Sequence, residues 1–217
     1  MVNFYSDLIP YNYAHLSLPG DADAAHVVIP KLVVEGSQRS SVSVNHTRRG
    51  RLGELSLPKL WALDSQQNLG FSRVANLLGG QRNDLEEKII ASIQWAGRAT
   101  AKIRKEESFL LYAIALESIV LSDNDPIELT YRLRVRVAHL LGDDVESRRD
   151  LFTKLGDLYK IRSKMVHSGR YQVTDADLSL LRRITKTALI RICTRSEFLS
   201  MSSPKELAEW FQNRILE

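Results

Sequence analysis

The sequence predicts an all-α helical bundle preceded by a small β-containing region, and three observations carry that reading. Four of the six prolines and seven of the eleven glycines fall within the first 80 residues, so chain-breaking residues crowd one end. From Asn83 onward, apolar residues recur with the period of a helix. The segments that carry this period are joined by short turns bearing capping residues, which is how bundles are connected.

Residues 27–34 are apolar and β-branched around Pro30, and residues 41–47 alternate, with Val42 and Val44 on one face. Both are expected to be short strands, with Pro30 marking an edge or a break. Arg48, Arg49 and Arg51 with Gly50 form a basic turn, and residues 57–63 suit another strand or a helical turn. Residues 1–80 are thus expected to form a small mixed or β region, and residues 81–217 the bundle.

In the bundle, Leu85, Ile89, Ile90, Ile93, Ala96 and Ala99 make one apolar stripe, which Asn83 or Asp84 can cap. Residues 109–121 are nearly all apolar and predict a central helix. A turn at 122–126 places Pro126 at the first position of the next helix, a site that needs no N–H. That helix runs to about Leu141 and stops at Gly142. Asp143 or Asp144 then starts a long helix through Leu151, Leu155, Leu158, Ile161 and Met165, ending at Ser168 and Gly169. Thr174 to Asp177 cap a fifth helix over about 176–198, and Ser203 with Pro204 opens a short last one.

Composition narrows the function classes. Hydrophobic residues make up 44% and charged residues 26% of 217 residues, a balance that supports a sizeable core. No apolar run approaches the ~18 to 20 residues of a membrane span, and the N-terminus has no basic segment followed by an apolar one, so neither a membrane anchor nor a secretory signal is expected. The single cysteine, Cys193, lies in an apolar-periodic helix and is expected to be a buried thiol in a reducing cytoplasm. With that one cysteine and five scattered histidines, no metal site or other cofactor is expected. The net charge is +4, and twenty of the thirty basic residues are Arg. Arginine forks onto phosphate oxygens and stacks on bases, which inclines the reading toward RNA.

The segment with the clearest chemistry is the end of the fourth long helix: Leu158-Tyr159-Lys160-Ile161-Arg162-Ser163-Lys164-Met165-Val166-His167-Ser168-Gly169. Upstream lie Ala115-Leu116-Glu117-Ser118-Ile119 and then Arg136-Val137-Ala138-His139-Leu140-Leu141-Gly142. In order and spacing these segments resemble the Apea-like branch of the HEPN superfamily, over about residues 107–198. The superfamily's ribonuclease signature is an Arg followed, after four to six residues, by a His. Three histidines fit that bare pattern: His46 after Arg39, His139 after Arg132 or Arg134, and His167 after Arg162. Position favours His167, in the last turn of its helix before a Ser-Gly stop, where a side chain can emerge at a surface.

The resemblance implies a metal-independent endoribonuclease in anti-phage defence or stress response, acting as a homodimer on RNA, with a possible defence-system partner protein. Arg162 and His167 would be catalytic, with Ser163, Glu117, Arg136 and Tyr159 in support. The residue types suit the task. Histidine carries a proton near neutrality, and a planar guanidinium supplies fixed positive charge to a phosphorane. Ser163 stands where active members often carry Asn or another polar residue.

Residues five apart on an ideal helix point about 140° from each other. Arg162 and His167 therefore converge only if the helix end frays or a second copy completes the site. The alternative is a non-catalytic HEPN module that dimerises or binds nucleotide within a larger assembly. In that case Arg162 simply pairs with Glu117, and His167 caps a helix end. Glu117, on a nearly all-apolar helix, is expected to need a cationic partner, Arg136 or Arg162.

Overall fold

A computed structural model describes the backbone of residues 26–35, 39–48, 57–102, 104–121, 128–168 and 172–216. It describes the side chains of residues 61–102, 104–121, 128–167 and 172–216. Two strands, β1 (His26–Glu35) and β2 (Arg39–Arg48), pair antiparallel in a register running from His26 opposite Arg48 to Glu35 opposite Arg39. Among the described residues this sheet has two strands, both of them edges, so Pro30 interrupts no central ladder.

Helices account for the rest: α1 (Leu57–Gln67), α2 (Phe71–Gly79), α3 (Asp84–Ala101), α4 (Lys105–Val120), α5 (Leu129–Leu141), α6 (Val145–Ser168), α7 (Asp175–Thr194), α8 (Ser196–Leu199) and α9 (Pro204–Leu216). The predicted α-helical bundle is present. Residues 57–63, read from sequence as a strand or a helical turn, belong to the full helix α1. The α2 helix follows Gly70, whose φ is +75°. Its Phe71, Val74 and Leu77 join the same core cluster as the later helices, so that core reaches back across residue 80.

Capping residues set the starts. Asn83 and Glu86 form a capping box on α3, as Thr174 and Asp177 do on α7. Asp144 Oδ1 accepts from the Ser147 amide at 2.7 Å, starting α6, and Ser203 plays this part with Glu206 on α9. Each such cap stabilises its helix by about 1 kcal/mol. Pro126 and Gly169, assigned from sequence to a helix start and a helix stop, lie outside the described residues.

The nearly all-apolar helix is central, as its composition predicted, but it begins at Lys105 rather than residue 109. Phe109, Tyr112, Leu116 and Ile119 are all under 2% exposed. They pack with Leu85, Ile89 and Ile93 of α3 and Leu181, Ile184 and Leu189 of α7 in one core. Truncating any of the large α4 side chains to alanine costs about 2 to 5 kcal/mol. The fifth long helix ends at Thr194, short of the expected 198, and α8 continues as a separate turn. Among the described residues no helix is long and apolar enough to cross a membrane.

The helices α5 and α6 form an antiparallel pair. Arg134 Nε donates to the Phe152 carbonyl at 2.9 Å, and its guanidinium lies 3.7 Å from the centre of the Phe152 ring. Toward the turn, Arg148 Nε donates to the Gly142 carbonyl at 3.2 Å. These contacts fix how α6 lies, and so where its last turns emerge.

Candidate functional site

The geometry of the site follows from the apolar stripe of α6. Leu155, Leu158, Tyr159 and Ile161 are buried against the core. Arg162 stands three residues after Tyr159 and four after Leu158, on the same face, where the stripe reaches the edge of the core. Its side chain is 35% exposed, and Nη2 donates to Glu117 Oε2 of α4 at 3.1 Å. Glu117 was expected to need an arginine from another helix, and it has one.

Tyr159 completes this cluster from below. The residue is 6% exposed. Its hydroxyl oxygen is enclosed, makes no hydrogen bond of good geometry among the described residues, and lies close enough to Glu117 to interact with its carboxylate. Burial pushes the phenol well above its ordinary pKa, and the nearby Glu117 carboxylate adds to the rise while Arg162 opposes it.

His167 stands apart. It lies in the last turn of α6, exposed, and makes no hydrogen bond or ion pair with any described residue. The helix persists through Ser168, so the chain does not unwind before His167 and the divergence of about 140° from Arg162 stays. Ser163 is likewise exposed and follows Arg162 by one position, about 100° around the helix.

Arg136 belongs elsewhere. It is 4% exposed, and Nη1 donates to the Val120 carbonyl at 2.8 Å, with the guanidinium 5.3 Å from the Phe211 ring centre. It thus seats the C-terminal end of α4, where carbonyls are orphaned and the helix dipole is negative. The sequence offered Arg136 and Arg162 equally as partners for Glu117, and the structure chooses Arg162.

The two other candidate histidines differ in setting. His46 lies in β2. His139 of α5 is half-buried, with an enclosed Nδ1 that has no hydrogen-bond partner among the described residues. Burial lowers its pKa, and the cations Arg148 and Arg214 lower it further. That histidine stays neutral more readily than a free one.

The exposed lysines of the same helix end escaped the sequence reading. From Leu158 to Ser168 there are four basic positions, Lys160, Arg162, Lys164 and His167, and no carboxylate, a charge run that signals them. Lys160 is bonded to Asp157 at 2.9 Å on the exposed face. Two adjacent arginine pairs, Arg148 with Arg149 and Arg182 with Arg183, lie on α6 and α7; Arg149 and Arg183 are exposed, whereas Arg148 is committed to the Gly142 carbonyl. A shallow concavity beside the start of α5, with Glu128, Leu129, Thr130 and Tyr131 on its described wall, holds none of the candidate residues. Among the described residues no three His, Cys, Asp or Glu side chains gather where they could hold a metal ion.

The site is therefore two surfaces on one helix end, a guanidinium held by a carboxylate and an exposed imidazole facing another way. No family model, curated protein or solved structure matches this chain.

Proposed function

We propose that this chain is a metal-independent endoribonuclease of the HEPN type, working as a homodimer. Each composite site would draw on the Arg162 and His167 positions of both copies. The observation that carries this is the helix end itself. It stays regular through Ser168 and offers an exposed His167, unpartnered among the described residues, and a half-exposed Arg162 too far around the helix to meet. A two-fold axis beside that end supplies the missing half, and two-fold dimers are the commonest oligomers.

In the proposed reaction the ribose 2′-hydroxyl attacks the adjacent phosphorus, giving up its proton to a base. The bond to the 5′ oxygen breaks, and that oxygen takes a proton. The products are a cyclic phosphate and a 5′-hydroxyl end. His167 serves as the proton carrier, and Arg162 holds the phosphorane oxygens with its fork. The basic stretch from Leu158 to Ser168 draws the strand in. A cytoplasmic role in anti-phage defence or stress response, with a partner protein, belongs to the same proposal.

A second reading has its own observation. Glu117 already holds Arg162, as a structural ion pair would, and this favours a non-catalytic HEPN module that dimerises or binds nucleotide. Purified protein incubated with mixed RNA, with and without chelator, separates the two. Cleavage that survives chelator and yields cyclic-phosphate ends supports the nuclease. Inert protein that still dimerises supports the module, and a strict monomer at high concentration in sedimentation overturns the composite site.

A further inference from the structure

Arg134 carries more donors than the fold uses. Its Nε donates to the Phe152 carbonyl at 2.9 Å, and the guanidinium lies 3.7 Å from the centre of the Phe152 ring. It also crosses Gly156, where a Cβ would stand 2.9 Å from the guanidinium carbon. The glycine therefore leaves the space that the guanidinium fills. The two terminal amines, by contrast, are not enclosed and have no partner among the described residues. A guanidinium fixed along one edge and open along the other is a fork prepared for a phosphate, because little side-chain freedom remains to be lost on binding.

An exposed ring accompanies the fork. Tyr131 stands one turn before Arg134 on α5, is 55% exposed, and meets Phe152 edge to face at 5.9 Å between ring centres. A ring braced in this way and open to solvent is a platform for a base, and single strands gain much of their affinity from such stacking. Arg149, one turn before Phe152 on α6, is exposed and in no ion pair among the described residues.

This cluster lines up with the end of α6. Gly156 and His167 are eleven residues apart, which places them within about 20° of one line along the helix and about 16 Å apart on it. Lys160 lies between them on the same side.

We propose that Arg134 and Tyr131 form a subsite for single-stranded RNA, in which the guanidinium takes a phosphate and the tyrosine ring stacks on a neighbouring base. A strand held there runs along α6 past Lys160 to His167. The subsite deepens the proposed nuclease reading and rests on it for the nature of the ligand.

The experiment measures binding of a short, fluorescently labelled single-stranded RNA carrying 2′-O-methyl groups, which keeps the phosphates and removes the attacking hydroxyl. Tyr131→Ala is expected to weaken binding roughly 10-fold, whereas Tyr131→Phe, which keeps the ring, should bind as the wild type does. Arg134→Gln should weaken binding and also lower the slope of log affinity against log salt by about 0.7, the share of one phosphate contact on a single strand. A merely structural arginine would not move that slope. Gly156→Ala keeps Arg134 but displaces its guanidinium, so it too should weaken binding while circular dichroism shows the helices intact.

Wild-type affinity in folded Tyr131→Ala, or in folded Gly156→Ala, overturns the subsite, and so does an unchanged salt slope in Arg134→Gln. Equal losses in Tyr131→Ala and Tyr131→Phe overturn the stacking. If the wild type still cleaves RNA in any of these cases, the nuclease reading stands without the subsite. Wild-type protein that neither binds this strand nor cleaves RNA defeats both.

Discussion

Arg162 of α6 donates from Nη2 to Glu117 Oε2 of α4 at 3.1 Å, across 45 positions of chain. The contact ties the end of α6 to the central helix and sets the direction of the arginine. Neither partner is fully buried, with side chains 35% and 24% exposed, and this fixes how much the pair can be worth. An exposed pair contributes roughly 0.2 to 1 kcal/mol. Breaking a fully buried one costs about 3 to 5 kcal/mol.

Glu117→Ala is accordingly expected to destabilise by about 1 to 2 kcal/mol, below the cost of breaking a fully buried pair. Arg136→Ala should cost more, because that side chain is 4% exposed and its loss orphans the Val120 carbonyl and strips the Phe211 ring of a neighbour. Urea unfolding of both variants gives the order directly. Equal effects, or a larger one for Glu117, would contradict this account.

Gly70 makes a sharper stability test. Its φ of +75° is left-handed, and a Cβ there would lie 2.8 Å from Cys193 Cβ of α7. The conformation alone costs a non-glycine residue roughly 1 to 2 kcal/mol, and the contact is with a buried, well-packed atom. Gly70→Ala should lose about 2 to 4 kcal/mol in all, adding the usual penalty of overpacking. Thermal unfolding that shows no loss would mean α2 does not pack on α7 as described.

His139 predicts an acid limb of stability. Its folded-state pKa is lowered by burial and by Arg148 and Arg214, so the unfolded chain binds the proton more tightly. Stability is then fully present above the ordinary histidine value of about 6.5. It falls as the pH drops below that value, until the folded state also takes the proton. His139→Gln should flatten this slope between neutral and mildly acidic pH. An unchanged slope would place the titrating group elsewhere.

Much of this architecture was legible in the sequence because the caps are local. Asn83, Asp144 and Thr174 each bond to an amide three residues on, and each announces its helix. The start of α2 was not legible for the opposite reason. Gly70 offers no side-chain cap, and the amides of Phe71 and Ser72 are taken by the Asp64 carboxylate, in the preceding helix, at 2.9 Å each. That acceptor lies seven positions back, in another helix, so no adjacent capping residue announces the start. The site shows the same division. That Glu117 needs an arginine follows from its apolar neighbours, whereas which arginine depends on the angle at which α5 and α6 cross α4. The enclosure of the Tyr159 hydroxyl likewise depends on packing that sequence alone does not specify.

The last prediction concerns activity under the proposed nuclease reading. His167 is exposed and has no partner among the described residues, so His167→Ala should leave stability nearly unchanged. Its effect should fall on chemistry, with cleavage reduced roughly 10²- to 10⁴-fold, the usual worth of general acid–base catalysis. Arg162→Ala should reduce cleavage as severely through the lost phosphorane contact, with a modest stability loss because it also strips Glu117 of its partner. His46→Ala and His139→Ala are the internal controls, since both residues satisfy the same Arg-to-His spacing without standing at this helix end. Both controls should cut RNA as the wild type does. Because the proposed site is shared between copies, mixing His167→Ala with Arg162→Ala protein should restore part of the activity if each composite site needs one arginine and one histidine. Loss of activity in His139→Ala with full activity in His167→Ala would show that the wrong histidine was chosen. No recovery on mixing, with dimers still exchanging subunits, would show that each chain acts with its own pair of residues.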